Sequence, residues 1–157
     1  MKNLTTKKIV LTIATTLAVG IAANAMAKNT PEEDAIKYRQ GAFTMIGHHF
    51  GPMAAMVKGK MEFDAEAFTK NAEAVAALSQ FPIHGFIEGS YEGETDAKKE
   101  IAENMDDFTE KMETFKIEAA NLAKVAADGG DLAALKPAFG KVGQSCKACH
   151  TDYREKN

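Results

Sequence analysis

The feature of this sequence that most restricts its fold is the spacing of its apolar residues. Between residues 101 and 126 they recur at alternating steps of four and three, which places them on one face of an α-helix. Similar stripes cover residues 34–58 and 132–153, and a shorter periodic segment covers 64–81. No stretch alternates with a period of two over a useful length. We therefore predict an all-α protein, an antiparallel four-helix bundle.

Glycines, prolines and polar residues predict where these helices end. Asp128-Gly129-Gly130 should end the third helix, and Asp131 is a suitable N-cap for the fourth. We expect Pro52 to kink or interrupt the first helix, and Pro137 to kink the fourth or delay its start. Residues 82–96 form the one long connection, between the second and third helices.

Residues 1–27 have the layout of a secretory signal peptide. Three lysines lie in the first eight positions, no charged residue occurs between Ile9 and Ala27, and the stretch ends in the cleavage pattern Ala25-Met26-Ala27. The alternative is a membrane anchor, for which the stretch is only weakly hydrophobic. We expect cleavage to leave one periplasmic domain, residues 28–157. This domain has 16 basic and 22 acidic residues, which excludes nucleic-acid binding through phosphate neutralisation.

The sharpest motif is Cys146-Lys147-Ala148-Cys149-His150, a C-x-x-C-H sequence that contains both cysteines of the chain. This is the attachment signature of c-type haem. On a helix the two thiols lie one turn apart, so each can add to one vinyl group of the same porphyrin, and His150 can turn toward the iron. We predict one covalent haem c per chain, attached to Cys146 and Cys149, with His150 as the axial iron ligand.

Other interpretations of this motif explain less of it. A zinc site would need two further ligands, and the chain has no second pair with suitable spacing. A thioredoxin-like motif would need a βαβ context. A single structural disulfide is the simplest alternative, and it leaves His150 unexplained.

The motif and its surroundings resemble the cytochromes c′, a group of class II c-type cytochromes. The motif lies near the C-terminus and is followed by Thr151-Asp152-Tyr153-Arg154. The resemblance extends to Lys37-Tyr38-Arg39-Gln40 on the first helix, to residues 82–86 and to residues 138–143. It implies a four-helix bundle with a five-coordinate, high-spin haem that has no protein ligand on its distal side.

By this resemblance, Phe43 occupies the position that decides the coordination of the iron. Relatives with methionine there are six-coordinate, whereas a phenylalanine caps an open iron site. Met45 is rotated about 200° from Phe43 around the helix and cannot share its direction. Ile83 and Phe86 would also line the distal side. Such an apolar pocket favours neutral diatomic ligands such as NO and CO.

Two arginines are the predicted polar residues of the haem pocket. Arg39 interrupts an apolar stripe one turn before Phe43, where a haem propionate is its natural partner. The alternative is an arginine whose head group reaches solvent. Arg154 lies one turn after His150, and the resemblance places it beside the proximal histidine. Its alternative is an ordinary surface arginine near a helix C-terminus.

The remaining histidines and the outer face of the first helix have simpler interpretations. His48, His49 and His84 are candidates for a second iron ligand, but surface or interface positions are the ordinary expectation. Tyr38 and Met45 belong to an apolar face that packs on the second helix or on a second subunit. The resemblance favours a homodimer through the first two helices.

Together these residues favour a haem protein for gas binding and electron transfer over an enzyme. We expect a periplasmic cytochrome that binds NO or CO and undergoes Fe(III)/Fe(II) electron transfer. The alternative is a six-coordinate electron carrier that serves respiratory redox partners. Peroxidase chemistry would need a polar acid–base group on the distal side, which Phe43, Ile83 and Phe86 do not offer. Minor NO turnover stays open.

Overall fold

The computed structural model describes residues 28–156, and the predicted signal peptide lies outside the described residues. This part of the chain forms five α-helices and one short 3₁₀ helix. They are α1 (Pro31–Val57), α2 (Ala65–Leu78), the 3₁₀ helix (Pro82–Gly85), α3 (Glu100–Glu103), α4 (Met105–Ala127) and α5 (Leu132–Tyr153). α1, α2, α4 and α5 form the predicted four-helix bundle. Among the helices of the described region, none has the length and hydropathy that a membrane span requires.

Side-chain caps fix the start of three long helices. At α1, the hydroxyl of Thr30 accepts a hydrogen bond from the Glu33 N–H, and the Glu33 carboxylate accepts one from the Thr30 N–H. Asp64 caps α2 through its carboxylate. The predicted cap Asp131 accepts the N–H of Ala134 at 2.9 Å. These caps satisfy backbone donors that have no partner inside the helix.

The helix boundaries differ from the prediction at three places. α1 continues through Pro52, so the predicted interruption is wrong. α5 begins before Pro137, so the predicted late start is also wrong. A proline removes one helical hydrogen bond, and packing along a long helix outweighs that loss. The third helix is divided at Asn104, whose φ of −128° and ψ of 39° leave the helical region, so the apolar stripe continues across a break in the backbone.

The core consists of two apolar clusters. The larger one joins all four long helices, and Met53, Phe68, Leu122 and Val142 are fully buried in it. The second cluster has five buried members: Tyr91, Ile101, Phe108, Met112 and Tyr153. Phe43 packs against both clusters. Removal of these large apolar side chains from water is the main force that holds the bundle together.

The connection between α2 and α4 folds back over α1. Gly85 packs so closely that an added β-carbon would lie 2.7 Å from a backbone oxygen of α1 and 2.7 Å from Cβ of Arg39. At its far end the connection pairs with the end of α5, through an antiparallel bridge between Ala97 and Arg154. One segment of chain therefore joins α1 to the C-terminal end of α5.

The outer face of α1 is divided between two environments. Ala42 and Met56 are buried within the subunit. Nδ1 of His49 forms a hydrogen bond with Oδ1 of Asn71 on α2, at 2.9 Å. Tyr38 and Met45 are about half exposed. The inner part of this face thus packs on α2, as one of the two interpretations predicts, and the homodimer stays a prediction.

Gly85→Ala should lower the free energy of unfolding by about 1–3 kcal/mol, because the added methyl group meets backbone that cannot move aside. Gly41→Ala is the matched control. Gly41 is an exposed residue of α1, with nothing within 4 Å of an added β-carbon. The same substitution there should raise the free energy of unfolding by about 0.5–1 kcal/mol. Urea denaturation measures both, and a Gly85→Ala variant as stable as the wild type would contradict the close packing.

Candidate cofactor site

A cavity of about 740 Å³ lies between α1, α4, α5 and the connection that precedes α3. This volume is typical of small-molecule and cofactor sites. Most of the lining side chains are apolar, and five are phenylalanines: Phe43, Phe50, Phe86, Phe108 and Phe115. Of the four long helices, α2 contributes none of the described lining residues.

α5 carries the predicted haem-attachment residues to this cavity. Cys146, Cys149 and His150 all line it, and the two cysteines lie on consecutive turns of one continuous helix. Both cysteines are half-buried free thiols, so no disulfide joins them. Desolvation raises the pKa of Cys146 and raises that of Cys149 to about 11. Both sulfur atoms are therefore protonated thiols at neutral pH.

His150 lies at the same wall of the cavity. Desolvation lowers the pKa of its imidazole, and the positive charge of Arg154 lowers it further. The ring is therefore neutral at pH 7, which is the form in which histidine binds a metal. Two thiols and one neutral imidazole beside a cavity of cofactor size fit a c-type haem. Among residues 28–156, no three His, Cys, Asp or Glu side chains are grouped so that they could hold a metal ion by themselves.

Aromatic rings form a continuous contact along another wall. The ring centroids of Phe43 and Phe86 are 6.4 Å apart in an edge-to-face arrangement. Phe86 contacts Phe108 at 4.6 Å, and Phe108 contacts Tyr153 at 5.4 Å. The structure therefore brings the predicted residues Phe43 and Phe86 together at the cavity. Ile83 packs against the second apolar cluster but is not among the lining residues, and its distal role stays a prediction.

The guanidinium of Arg39 is bound by the connection. Its Nη1 donates to O of Gly85 at 2.6 Å and to Oγ of Ser90 at 2.8 Å. Its Nη2 donates to O of Ser90 at 2.5 Å and to Oγ1 of Thr95 at 2.8 Å. Arg39 lines the cavity but is only 2% exposed, so a head group that reaches solvent is excluded. The contact with a haem propionate stays a prediction.

Arg154 lines the cavity at the end of α5 and pairs with Asp96. The distance from Nη2 of Arg154 to Oδ2 of Asp96 is 3.0 Å. Both side chains are partly exposed, so this ion pair adds little stability by itself. The backbone reinforces it, because the N–H of Glu155 donates to O of Asp96 at 2.8 Å. The sequence places Arg154 beside His150 but contains no signal for Asp96, which is 58 residues away.

A polar group on α4 that was not predicted from the sequence reaches the same cavity. Lys111 lines the cavity and donates to Oδ1 of Asp107 at 2.9 Å, and the hydroxyl of Tyr153 donates to Oδ2 of Asp107. The hydrogen bond with Asp107 is the main reason why the pKa of Tyr153 rises to about 12. The spacing of Asp107 and Lys111 on one helix could have indicated their pairing, whereas nothing in the sequence connects them to Tyr153.

The other candidate iron ligands lie away from the cavity. His48, His49, His84 and Met45 are not among its lining residues. The rings of His48 and His49 contact each other edge-to-face at 5.3 Å, and His84 is exposed on the 3₁₀ helix. These positions agree with the surface interpretation of the histidines and with the expected separation of Met45 from Phe43.

Comparisons with known proteins agree with this geometry. Residues 34–154 match the family described as Cytochrome C'. A cytochrome c′ from Halomonas halodenitrificans is 46% identical over 127 residues, which cover 78% of this chain and 96% of that protein. The solved cytochrome c prime from Shewanella frigidimarina is similar with a TM-score of 0.78 and 45% identity, covering 82% of this chain and 100% of its own.

A nitric oxide complex of a cytochrome c prime variant from Alcaligenes xylosoxidans is also similar. Its TM-score is 0.74 at 42% identity, and the match covers 83% of this chain and 100% of that one. The family match covers nearly the whole bundle, from the first turn of α1 to the C-terminal end of the C-x-x-C-H helix. This chain therefore belongs to the cytochrome c′ family, whose members bind haem c.

Proposed function

We propose that this protein is a periplasmic five-coordinate haem protein that binds NO and CO and exchanges single electrons. The observation that carries the proposal is the meeting of two thiols, one imidazole and a wall of aromatic rings at one cavity. When bound, haem supplies an iron that cycles between Fe(III) and Fe(II) and accepts an axial ligand. The nitric oxide complex of the similar protein from Alcaligenes xylosoxidans supports the choice of ligand.

In this proposal, α5 holds the cofactor. Cys146 and Cys149 would hold the haem through thioether bonds, and the imidazole of His150 would bind its iron. Because all three belong to one rigid helix, their relative positions are set by the helix and not by flexible loops. Residues 1–27 are the signal peptide that delivers the chain to the periplasm, where covalent attachment of haem takes place.

Phe43 and Phe86 select small uncharged ligands. Neither ring offers a hydrogen bond or a proton, so a charged or strongly polar ligand loses its hydration there without replacement. Phe43 and Phe86 themselves offer no acid–base group for peroxidase chemistry. Ile83, like Phe86, packs against the second apolar cluster, and in this proposal it extends the apolar surface on the distal side. The proposal is therefore binding and electron transfer, and not enzymatic turnover.

Arg39 and Arg154 supply positive charge to the pocket. Both line the cavity, and a guanidinium is well suited to the carboxylate of a haem propionate. Arg154 lies one turn after His150, and its charge already acts on that imidazole. In this proposal Arg154 would lie on the proximal side of the cofactor, and Arg39 on the side of Phe43.

One observation favours a second candidate function, the six-coordinate electron carrier. Met112 on α4 lines the cavity, and a thioether is a known axial ligand of haem iron. Met112 is 3% exposed and packs in the second apolar cluster with Phe108 and Tyr153. Well-packed buried side chains keep their positions, so we favour the five-coordinate site.

Cys146→Ala should leave the haem attached through Cys149 alone. The pyridine haemochrome spectrum should shift to that of a single thioether, because one vinyl group stays unsaturated. Ser145→Ala is the matched control, since Ser145 also lines the cavity but carries no thiol. The intact mass of the wild type should equal residues 28–157 plus one haem. An unshifted spectrum would contradict the attachment site, and a mass that includes residues 1–27 would contradict cleavage.

Phe43→Ala should speed CO association with the ferrous protein about tenfold, because removal of the ring opens the aromatic wall. A tenfold faster rate corresponds to an activation free energy lower by about 1.4 kcal/mol. Haem attachment should be unaffected. Phe63→Ala is the control, since Phe63 packs on Phe68 with a centroid distance of 6.0 Å and lies outside the cavity lining. Flash photolysis measures both rates. Equal rates for Phe43→Ala and the wild type would disprove that Phe43 caps the site.

A further inference from the structure

One buried cation holds the connection between α2 and α4 against the cavity. We propose that Arg39 is a positioning residue, which fixes residues 85–95 and with them the ring of Phe86 at the cavity wall. Ligand entry then depends on how firmly this segment is held. The consequence for ligand entry rests on the proposed function, whereas the holding of the segment is independent of it.

The hydrogen bonds of Arg39 reach far along the chain. Its acceptors Gly85, Ser90 and Thr95 are 46, 51 and 56 residues away. The two bonds to Ser90 and the bond to Gly85 are buried. Hydrogen bonds from a charged donor are stronger than neutral ones, and buried acceptors that lose their donor are costly. The guanidinium is thus a substantial part of what holds this segment on α1.

Apart from apolar packing of Phe86 and Tyr91 in and against the second cluster, few other interactions fasten this segment to a helix. Between residues 81 and 95, the backbone hydrogen bonds that the structure shows join residues only two or three apart. Such bonds shape local turns but do not fasten the segment to a helix. Gln40 adds one bond, from Nε2 to O of Glu94 at 2.8 Å, and it is exposed. Arg39 contributes four bonds to the same segment.

The ring of Phe86 is linked directly to this cation. Cζ of Arg39 lies 4.5 Å from the centroid of that ring, a contact typical of a cation–π interaction. Gly85, the preceding residue, packs against Cβ of Arg39 with no room for a side chain. The ring of Phe86 also contacts the rings of Phe43 and Phe108. A shift of Arg39 therefore moves the aromatic wall of the cavity.

Arg39→Lys tests this role in the haem-loaded protein. Lysine keeps the charge but cannot form the forked set of bonds. Amide hydrogen exchange within residues 86–95 should become about tenfold faster, the factor expected from losing a hydrogen bond to a charged group, while α2 exchanges as in the wild type. CO association should become faster in the same variant.

Thr95→Val is the second variant, since it leaves Arg39 in place and removes the hydroxyl that accepts hydrogen bonds from Arg39 and from the N–H of Ala97. In this variant, amide exchange within residues 86–95 and CO association should also become faster, by a smaller factor than in Arg39→Lys. Thr114→Val is its control, because the hydroxyl of Thr114 bonds only to Glu110 within α4, and it should change neither. The Thr95 variant also keeps the test decisive if Arg39→Lys does not fold.

Three results would overturn the inference. Unchanged exchange of residues 86–95 in Arg39→Lys would show that Arg39 does not hold the segment. Exchange that accelerates equally in Thr114→Val and Thr95→Val would show a general loss of stability. If Arg39→Lys binds CO and its residues 86–95 exchange faster, but its CO association rate is unchanged, the segment does not control ligand entry. A wild type that does not bind CO would refute the proposed function instead, and the exchange data would still decide the role of Arg39.

Discussion

The rest of the site depends on a constraint set by α5. Its two thiols and its imidazole lie within five consecutive residues and line one space, so α1 and α4 have to leave a cavity beside them. Those helices line it with phenylalanines such as Phe43 and Phe108. α2 lines none of it in the described region and instead packs into the larger cluster through Phe68. Both clusters contribute to the cavity: Ile46 and Phe115 belong to the larger one, and Ile101, Phe108, Met112 and Tyr153 to the second.

The connection between α2 and α4 links the two sides of this cavity. Its neighbouring residues Thr95 and Asp96 bind different arginines: Thr95 accepts from Arg39 on α1, and Asp96 pairs with Arg154 at the end of α5. The first contact is mostly buried and the second is exposed. Because burial strengthens hydrogen bonds to a charge and exposure weakens ion pairs, the Arg39 side is the firmer of the two attachments.

The sequence predicted the helices well and the connection poorly. The apolar stripes and the cap at Asp131 reflect interactions between residues close in the chain, which can be identified without a fold. The partners of Arg39 could not be predicted, because they are neutral oxygens of a segment without periodicity, brought close only by folding. At Pro52 and Pro137 the predicted interruption and late start were wrong, since a local penalty was given more importance than packing along the whole helix. The break at Asn104 was missed because the apolar spacing continues across it.

The optical spectrum of the dithionite-reduced protein, recorded before and after addition of CO, tests the account most directly. An open iron site at the wall formed by Phe43 and Phe86 predicts a broad high-spin Soret band that sharpens and shifts when CO binds. A sharp low-spin spectrum that CO does not change would contradict the account. It would point to a second axial ligand from within the cavity, such as Met112, and to electron transfer as the function of the protein.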